Sequence, residues 1–186
     1  LKTQVPEALE DLDFAPLSSE NIERVGKEQG VYQLALDREP VYLGKGKGPL
    51  PGRLAQHLRR VSGRYNISPD RVSFRCLYLD GFTGSMGVED LLIDHYAKLG
   101  KCPWNTKLGY GSKVVGRGRR DGLPGAWYFQ YPIRWRADIT VGISGPTPIL
   151  EALDALRRAV PFDQFTYASE RSRGDADRAI TADYEG

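Results

Sequence analysis

The segment PGRLAQHLRRVSG places an arginine and a histidine one helical turn apart, at positions 53 and 57. Side chains four residues apart on a helix share a face, so we expect Arg53 and His57 to lie together, with Arg60, along one flank of an apolar stripe. That stripe consists of Leu54, Leu58 and Val61. A guanidinium binds phosphate through a planar pair of N–H groups, and an imidazole accepts and releases protons near neutral pH. The pair therefore suits phosphate binding combined with proton transfer.

A second predicted helix, GSMGVEDLLIDHYAKLG, carries one carboxylate placed to face the rest of the protein. We expect this helix to end at Gly100. Glu89 borders its apolar side, whereas Asp90 and Asp94 point away. The predicted buried residues are Val88, Leu91, Leu92 and Leu99. A single carboxylate suits Mg²⁺, or Mn²⁺ in its place, because these hard cations prefer oxygen ligands and Mg²⁺ keeps most of its waters. Glu89 is therefore the predicted metal ligand.

The stretch GVYQLALDREPVYLGKGKG, from Gly30 to Gly48, predicts a β-hairpin. Val, Tyr and Leu dominate two runs near 31–36 and 41–43, and a polar turn that contains proline separates them. Each run carries one tyrosine, Tyr32 or Tyr42. Gly44 is expected to let the backbone approach a phosphate closely at the strand end. The GKGKGP that follows lacks the spacing and the Ser or Thr of a nucleotide-binding loop, so we interpret it as a mobile rim.

The remaining segments complete an α+β pattern. SSENIERVGKEQ predicts a short helix that Ser18 or Ser19 caps and Gly30 ends, and RVSFRCLYLD predicts a strand. WYFQYPIRWRADITVGIS predicts one or two further strands, and TPILEALDALRRAV an amphipathic helix. The expected fold is a small antiparallel β-sheet flanked by helices, with a C-terminal β/α extension. Its expected parts are an N-terminal helical arm (1–29), a core (30–115), an extension packed on the core (116–173) and a disordered tail (174–186).

Basic residues are concentrated in one segment, although the net charge of the chain is only +2. Residues 98–120 carry lysines and arginines but no acidic residue. This predicts a surface that faces a polyanion; the alternative is a solvated basic loop. Arginines are the better candidates for reading bases, because they bind guanine through two hydrogen bonds, and Tyr110 is available to stack. The predicted DNA-binding residues are Lys107, Lys113, Arg117, Arg119 and Arg120, with Lys45 as a further phosphate or base contact.

Length and composition bound the class of protein. A chain of 186 residues that is 40% hydrophobic can bury one real core. Two cysteines are too few for a disulfide framework and predict reduced thiols. No apolar run approaches ~18 residues, and the acidic, mixed N-terminal residues are unlike a secretory signal. We therefore expect a cytoplasmic protein without membrane contact.

Several of these residues occur in the order of a known family. A Gly-Val-Tyr strand and a Tyr-Leu-Gly strand precede the helix with Arg53 and His57, and Glu89 and Asn105 follow in turn. The set resembles the GIY-YIG nuclease family, with valine and leucine in place of the family's isoleucines. The spacing of Arg53 and His57, and the Trp-Asn-Thr that contains Asn105, are similar to the type II restriction endonuclease branch. The resemblance covers about residues 28–115, and it implies that the predicted core is a nuclease core.

The resemblance implies a divalent-metal-dependent endonuclease that hydrolyses phosphodiester bonds in double-stranded DNA. Tyr32 would be the general base, aided by His57, while Arg53 would contact the phosphate and Glu89 would hold Mg²⁺. A phenol has a pKa near ~10, so we expect His57 and nearby cations to lower that pKa or to take the proton onward. Tyr42 would hydrogen-bond the same phosphate or water from the adjacent strand.

Other parts of the resemblance concern architecture and target choice. Asn105 would fix the local loop and the helix that bears Glu89. A homodimer on a palindromic site would fit a sequence-specific type II enzyme. Two alternatives stay open: a GIY-YIG nuclease of repair, mobile-element or toxin type, and a nucleic-acid-binding module that does not cut. The complete set of candidate side chains argues against the module.

Overall fold

The structure, a computed structural model, describes residues 4–46, 48–79, 87–105, 110, 126–134, 136 and 138–161, with the backbone alone for residues 4 and 87–90. The strands are β1 (Ala15–Pro16), β2 (Gly30–Leu36), β3 (Glu39–Gly46) and β4 (Val72–Tyr78). The helices are α1 (Gln4–Glu10), α2 (Ser19–Glu23), α3 (Leu50–Ser62), α4 (Gly87–Lys98), α5 (Trp127–Gln130) and α6 (Ile149–Ala159). The strands form one antiparallel sheet in the order β1-β4-β2-β3, so the predicted α+β class is confirmed.

Strands β2 and β3 form the predicted hairpin. Asp37 and Arg38 occupy its turn with φ values of 51° and 71°, which is the left-handed geometry that a tight two-residue turn requires. β3 continues to Gly46 and pairs with β2 as far as Gly30. Lys45 and Gly46 therefore belong to the sheet, and their interpretation as part of a mobile rim is wrong.

The sheet is covered on both sides. Because side chains alternate along a strand, β2 sends Tyr32 and Leu34 to one side, where they share a core with α3, and Val31 to the other, where it packs with α1 and α4. We call these sides the α3 face and the α4 face. β2 is buried from Gly30 to Ala35, so each face contributes its own apolar core.

Helix α3 follows the predicted pattern. Pro51 lies in its first turn, where a proline is tolerated because its missing N–H would have no helical partner. The predicted core stripe is confirmed, since Leu54 and Val61 are fully buried and Leu58 is partly buried. The stripe packs α3 against the sheet and fixes the helix that carries Arg53 and His57.

Helix α4 ends where predicted but buries a different side. Gly100 follows it with φ +68°, a left-handed conformation typical of a helix C-terminus. Leu92 and Tyr96 are buried, whereas Leu91 is 40% exposed and Leu99 is 54% exposed. The prediction that Leu91 and Leu99 are buried is therefore wrong. The helix is turned by about one residue, ~100°, so that the Leu92–Tyr96 line meets the α4 face.

The short helix predicted before the hairpin, α2, begins at a predicted cap residue but ends earlier than predicted. Ser18 is the N-cap of α2 and accepts a hydrogen bond from the Asn21 N–H. The helix ends at Glu23, and Gly30 is the first residue of β2 rather than a helix terminator. A Cβ atom at Gly30 would clash with the Leu77 carbonyl oxygen, so the close approach of β4 explains this glycine.

The predicted strands after residue 126 are also wrong. Trp127 opens the short helix α5, and within residues 126–134, 136 and 138–161 the structure contains no strand, only an isolated bridge between Arg64 and Ile133. Aromatic residues favour strands, but one helical turn places both Trp127 and Tyr128 in the core that also contains Tyr32. Packing overrides strand propensity at this point.

Helix α6 is confirmed as an amphipathic element, with Pro148 at its N-cap. Residues 174–186, predicted to be a disordered tail, lie outside the described residues. Within the described part of the chain, none of the helices has the length and apolar character that a membrane crossing requires.

Candidate active site

Tyr32 and His57 meet on the α3 face. The Tyr32 hydroxyl lies 2.7 Å from Nε2 of His57, and the two rings are 5.3 Å apart between centroids. Tyr32 is 0% exposed and His57 is 2% exposed. The spacing argument placed His57 on the flank of α3, and the structure brings this flank against the centre of β2. The two side chains named by the resemblance therefore form a direct hydrogen bond.

Tyr110 completes the cluster from a segment for which the sequence predicted a different role. Its hydroxyl lies 2.8 Å from Nδ1 of His57, and the two rings stack with an interplanar angle of 18°. Tyr110 is 1% exposed, so the expectation that it is available for base stacking does not fit this arrangement. Sequence reasoning missed its contact with His57, because a tyrosine between glycines in a basic loop carries no periodic signal.

Tyr42 packs beside this cluster from β3. Its ring lies 5.3 Å from His57 and 4.7 Å from Tyr110, measured between centroids. Its neighbour in β3, Gly44, pairs with Tyr32 across the hairpin. A Cβ atom at Gly44 would lie in contact with the Tyr32 hydroxyl and 2.5 Å from its Cζ atom. The close neighbour that explains Gly44 is thus the Tyr32 ring, whereas the sequence predicted a phosphate.

Two guanidinium groups border the buried cluster. Arg53 is half-buried, and its Nη1 donates to Oε1 of Gln56 at 2.9 Å. The Cζ atom of Arg60 lies 5.3 Å from the centroid of the Tyr110 ring, a distance at which a cation is attracted to an aromatic face. The predicted common face of Arg53, His57 and Arg60 is consistent with this arrangement, since both arginines act electrostatically on His57.

Burial keeps both partners of the central hydrogen bond neutral. It lowers the pKa of His57 to about 3, and the charges of Arg60 and Arg53 act in the same direction. Burial also raises the pKa of Tyr32 well above its ordinary value, with a further rise from Tyr42, and Arg53 opposes that rise through its charge and hydrogen bonding. Arg53 acts in the expected direction, but the expectation that the Tyr32 pKa lies below its ordinary value is wrong, because desolvation outweighs the cation.

Asn105 acts on the backbone of β3. It ends a single 3₁₀ turn, Pro103–Asn105. Its Oδ1 accepts from the Leu43 N–H at 2.8 Å, and its Nδ2 donates to the Leu43 carbonyl at 2.7 Å. The prediction that Asn105 fixes the local loop is confirmed. The amide attaches the chain that follows α4 to the strand that carries Tyr42.

The remaining predicted residues are only partly covered by the structure. Glu89 lies in α4, but its side chain lies outside the described residues. Lys45 is half-buried in β3, next to Gly44. The other five predicted DNA contacts lie outside the described residues; they are Lys107, Lys113, Arg117, Arg119 and Arg120.

The geometry supports one kind of chemistry more than others. A hydroxyl, an imidazole and a second hydroxyl form a continuous hydrogen-bonded chain, Tyr32–His57–Tyr110, in a site from which water is largely excluded. Such a chain can move a proton between its ends. Among the described side chains, no group of three potential metal ligands converges.

Comparison with known proteins does not identify a family for this chain. The chain matches no protein-family model, and a search of the curated proteins finds no match to it. A functional assignment therefore depends on the residues and on their arrangement.

Proposed function

We propose that this protein is an endonuclease that hydrolyses phosphodiester bonds in double-stranded DNA with a divalent metal ion, as a sequence-specific type II restriction enzyme does. The observation that carries the proposal is the 2.7 Å hydrogen bond between the Tyr32 hydroxyl and His57 Nε2. It joins two side chains that the resemblance to GIY-YIG nucleases names as base and helper. Arg53, the proposed phosphate contact, is close enough to influence both groups.

Hydrolysis requires that water lose a proton as it attacks phosphorus and that the 3′ oxygen depart. In the proposed mechanism the Tyr32 oxygen accepts the proton from water while its own proton passes to Nε2 of His57. Tyr32 gains one proton and loses one, so its raised pKa does not enter the overall proton balance. The final acceptor is His57, which is neutral and has a nitrogen in hydrogen-bond contact with the phenol.

A bound phosphate would make His57 a better acceptor. The charges of Arg60 and Arg53 contribute to the low pKa of His57. A phosphate held by the Arg53 fork would offset part of this positive charge. The pKa of His57 would then rise by the part that the arginines contribute, while burial would still hold it below its ordinary value. This rise favours proton acceptance when substrate is present.

The metal belongs to this proposal through Glu89. A single carboxylate suits Mg²⁺, which retains most of its waters and takes one or two carboxylates from a protein. When bound, Mg²⁺ or Mn²⁺ would stabilise negative charge on the leaving oxygen. Glu89 lies in α4 one helical turn before Leu92, and we propose it as the protein ligand.

One observation favours a second function. Tyr32 is fully buried and its hydroxyl is hydrogen-bonded to His57, which is also what a purely structural network would require. A nucleic-acid-binding module that does not cut could have the same hydrogen bond, and it would need neither a metal ligand nor a general base. A nuclease of repair, mobile-element or toxin type would share the proposed chemistry and differ in target choice.

Digestion of supercoiled plasmid with Mg²⁺ or Mn²⁺ separates these functions. Discrete bands support the restriction enzyme, and a nick or a smear supports another GIY-YIG nuclease type. Binding to duplex DNA without any cleavage supports the module. Homodimerisation on a palindromic site is measured with the same DNA by the mass of the complex.

Glu89→Gln should abolish cleavage and leave DNA binding largely intact, because the proposed metal ligand is lost while the basic residues remain. Asp90→Asn removes the neighbouring carboxylate on the same helix and is the matched control, which should cleave normally. Cleavage rate and duplex affinity are measured for both variants. Cleavage by Glu89→Gln at the normal rate would show that Glu89 does not hold the metal.

Tyr32→Phe removes only the phenol oxygen and should slow cleavage by at least ~10²-fold, the lower range for loss of a general base. Tyr128→Phe removes a buried hydroxyl from the same core, and that hydroxyl makes no hydrogen bond to Tyr32 or His57. This variant should cleave at the wild-type rate. Single-turnover rates are compared under saturating metal. A loss below about fivefold, well under that range, would reduce Tyr32 to a packing residue.

A further inference from the structure

His57 lies between two hydroxyl groups, and this arrangement has a consequence for its tautomer. Nε2 faces the Tyr32 hydroxyl at 2.7 Å and Nδ1 faces the Tyr110 hydroxyl at 2.8 Å. A neutral imidazole has one N–H donor and one acceptor nitrogen. One hydroxyl must therefore donate to the ring and the other must accept from it, and only one of the two tautomers allows Tyr32 to pass a proton to His57.

The surroundings of Tyr32 favour that tautomer. The positive charge of Arg53 acts on the Tyr32 phenol, and the Tyr42 hydroxyl is a further polar neighbour of it. A positive charge attracts the phenol oxygen and repels its hydrogen, so the Tyr32 hydroxyl directs its hydrogen away from Arg53. Nε2 of His57 is the nearest imidazole nitrogen. If the Tyr32 hydroxyl donates to Nε2, the ring hydrogen lies on Nδ1 and points to Tyr110.

The position of Tyr110 is set by aromatic packing. Its ring lies 4.7 Å from Trp104, 4.8 Å from Trp127 and 4.7 Å from Tyr42, between centroids. These contacts use the ring and not the hydroxyl. The oxygen is thus presented to Nδ1 of His57 by a packed core, and replacement of tyrosine by phenylalanine keeps the packing while it removes the acceptor.

We propose that Tyr110 is a positioning residue: its hydroxyl oxygen accepts the Nδ1 hydrogen of His57 and so keeps Nε2 unprotonated and facing Tyr32. Its catalytic consequence rests on the proposed nuclease function, whereas the tautomer is a property of the folded chain without DNA or metal. The step conserves protons, since the hydrogen of Tyr32 moves to Nε2 while Nδ1 keeps the hydrogen bonded to Tyr110.

Nitrogen NMR of the histidine side chains tests the proposal without any activity measurement. The chain has only two histidines, so the spectrum of a His95→Gln variant assigns the signals of His57. At neutral pH the wild-type protein should show a protonated Nδ1 and an unprotonated Nε2. In Tyr110→Phe the Nδ1 hydrogen would be buried without an acceptor, which is unfavourable, so the proton should move to Nε2.

Matched variants sharpen this measurement. Tyr32→Phe removes the hydroxyl at the opposite nitrogen and should leave Nδ1 protonated, because the Tyr110 acceptor remains. Tyr128→Phe removes a hydroxyl from the same core and should leave both nitrogen signals of His57 unchanged. A wild-type His57 protonated at Nε2, or an unchanged tautomer in Tyr110→Phe, would overturn the proposal.

Kinetics then connect the tautomer to the proposed reaction. Tyr110→Phe should lower kcat about tenfold, roughly the effect of one hydrogen bond, and leave KM for DNA unchanged. If the wild-type protein has the expected tautomer but cuts no DNA, the nuclease function fails and the positioning role stands. If it cuts DNA and Tyr110→Phe shifts neither the tautomer nor kcat, the positioning role fails and the nuclease function stands.

Discussion

The two faces of the sheet bury polar side chains in different ways. On the α3 face, Tyr32, His57 and Tyr110 bond to one another, side chain to side chain. On the α4 face, Arg75 donates to Oε1 of Gln33 at 2.9 Å and to the backbone carbonyls of residues 10 and 12 at 2.9 and 3.2 Å. Its guanidinium also lies over the Phe14 ring, 4.5 Å from the centroid.

The difference separates a structural network from a chemical one. The direct partners of Arg75 are an amide and two carbonyls, none of which gains or loses a proton, so Arg75 attaches the N-terminal residues to the sheet. Gln33 in turn donates to the Cys102 thiol at 3.5 Å. The partners on the α3 face are titratable, and burial shifts the pKa of Tyr32 and of His57 in opposite directions. A buried polar group therefore indicates a reactive site only when its partners can exchange protons with it.

The largest expected effect is on the structural network. Arg75→Met keeps much of the side-chain volume but leaves Gln33 and two carbonyl oxygens without their donor. The free energy of unfolding should fall by about 3 kcal/mol, because buried acceptors without partners are costly. Urea denaturation measures this loss. Arg71→Met breaks an exposed ion pair with Asp37 and should hardly change the midpoint; an equally small effect for Arg75→Met would contradict the structural role.

The second prediction tests how tightly the α3 face is built. Gly44→Ala would place a methyl group against the Tyr32 hydroxyl, so either the hairpin or the Tyr32 ring must move. We expect a loss of about 2 to 3 kcal/mol in the free energy of unfolding and a disturbed His57 side-chain signal. Gly48→Ala has no heavy atom within 4 Å of its new methyl group and should be neutral. A stable Gly44→Ala variant with an unchanged His57 signal would show that the packing is looser than described.

The third prediction concerns pH and only the α3 face. The pKa of His57 is about 3 in the folded protein and near 6.5 in the unfolded chain, so between these values the unfolded state binds more protons. The contribution of His57 to the free energy of unfolding is fully present above pH ~6.5, and it is lost as the pH falls toward 3. The loss between pH 7.5 and pH 5 should be about 2 kcal/mol, since each unit is worth ~1.4 kcal/mol.

Urea denaturation at a series of pH values tests the third prediction. His57→Gln should remove the pH dependence in this window, whatever its stability at pH 7.5, whereas His95→Gln should keep it. A wild-type protein that is equally stable at pH 7.5 and pH 5 would show that His57 is not buried in its neutral form.

The elements that the sequence predicted well have strong local signals. Proline and glycine mark the limits of α3, α4 and the hairpin, and apolar periodicity identifies their buried sides to within one residue. The convergence of Arg53 and His57 required only helical spacing. The association of His57 with Tyr32 was predicted only through the resemblance, which names both side chains, and the hydrogen bond between them agrees with it.

What could not be predicted depends on long-range packing. Nothing in the spacing of Tyr110 indicates that it closes on His57, because a loop carries no period from which a contact follows. Trp127 and Tyr128 have strand propensity, yet they form a helical turn that packs Trp127 against Arg64 and Trp104. Gly44 was linked to a ligand, although the atom that excludes a side chain belongs to Tyr32.

The amide of Asn105 has a consequence for the solution behaviour of the protein. β3 is the last strand of the sheet, and the outward backbone groups of such a strand can pair with another chain and start aggregation. The Asn105 side chain hydrogen-bonds to both the N–H and the carbonyl of Leu43. The Cys102 N–H donates to the Pro40 carbonyl. Pro40 itself offers no N–H. From Pro40 to Leu43 the sheet is thus closed by its own chain, and a neighbouring molecule would have to displace residues 102–105 before it could extend the sheet there.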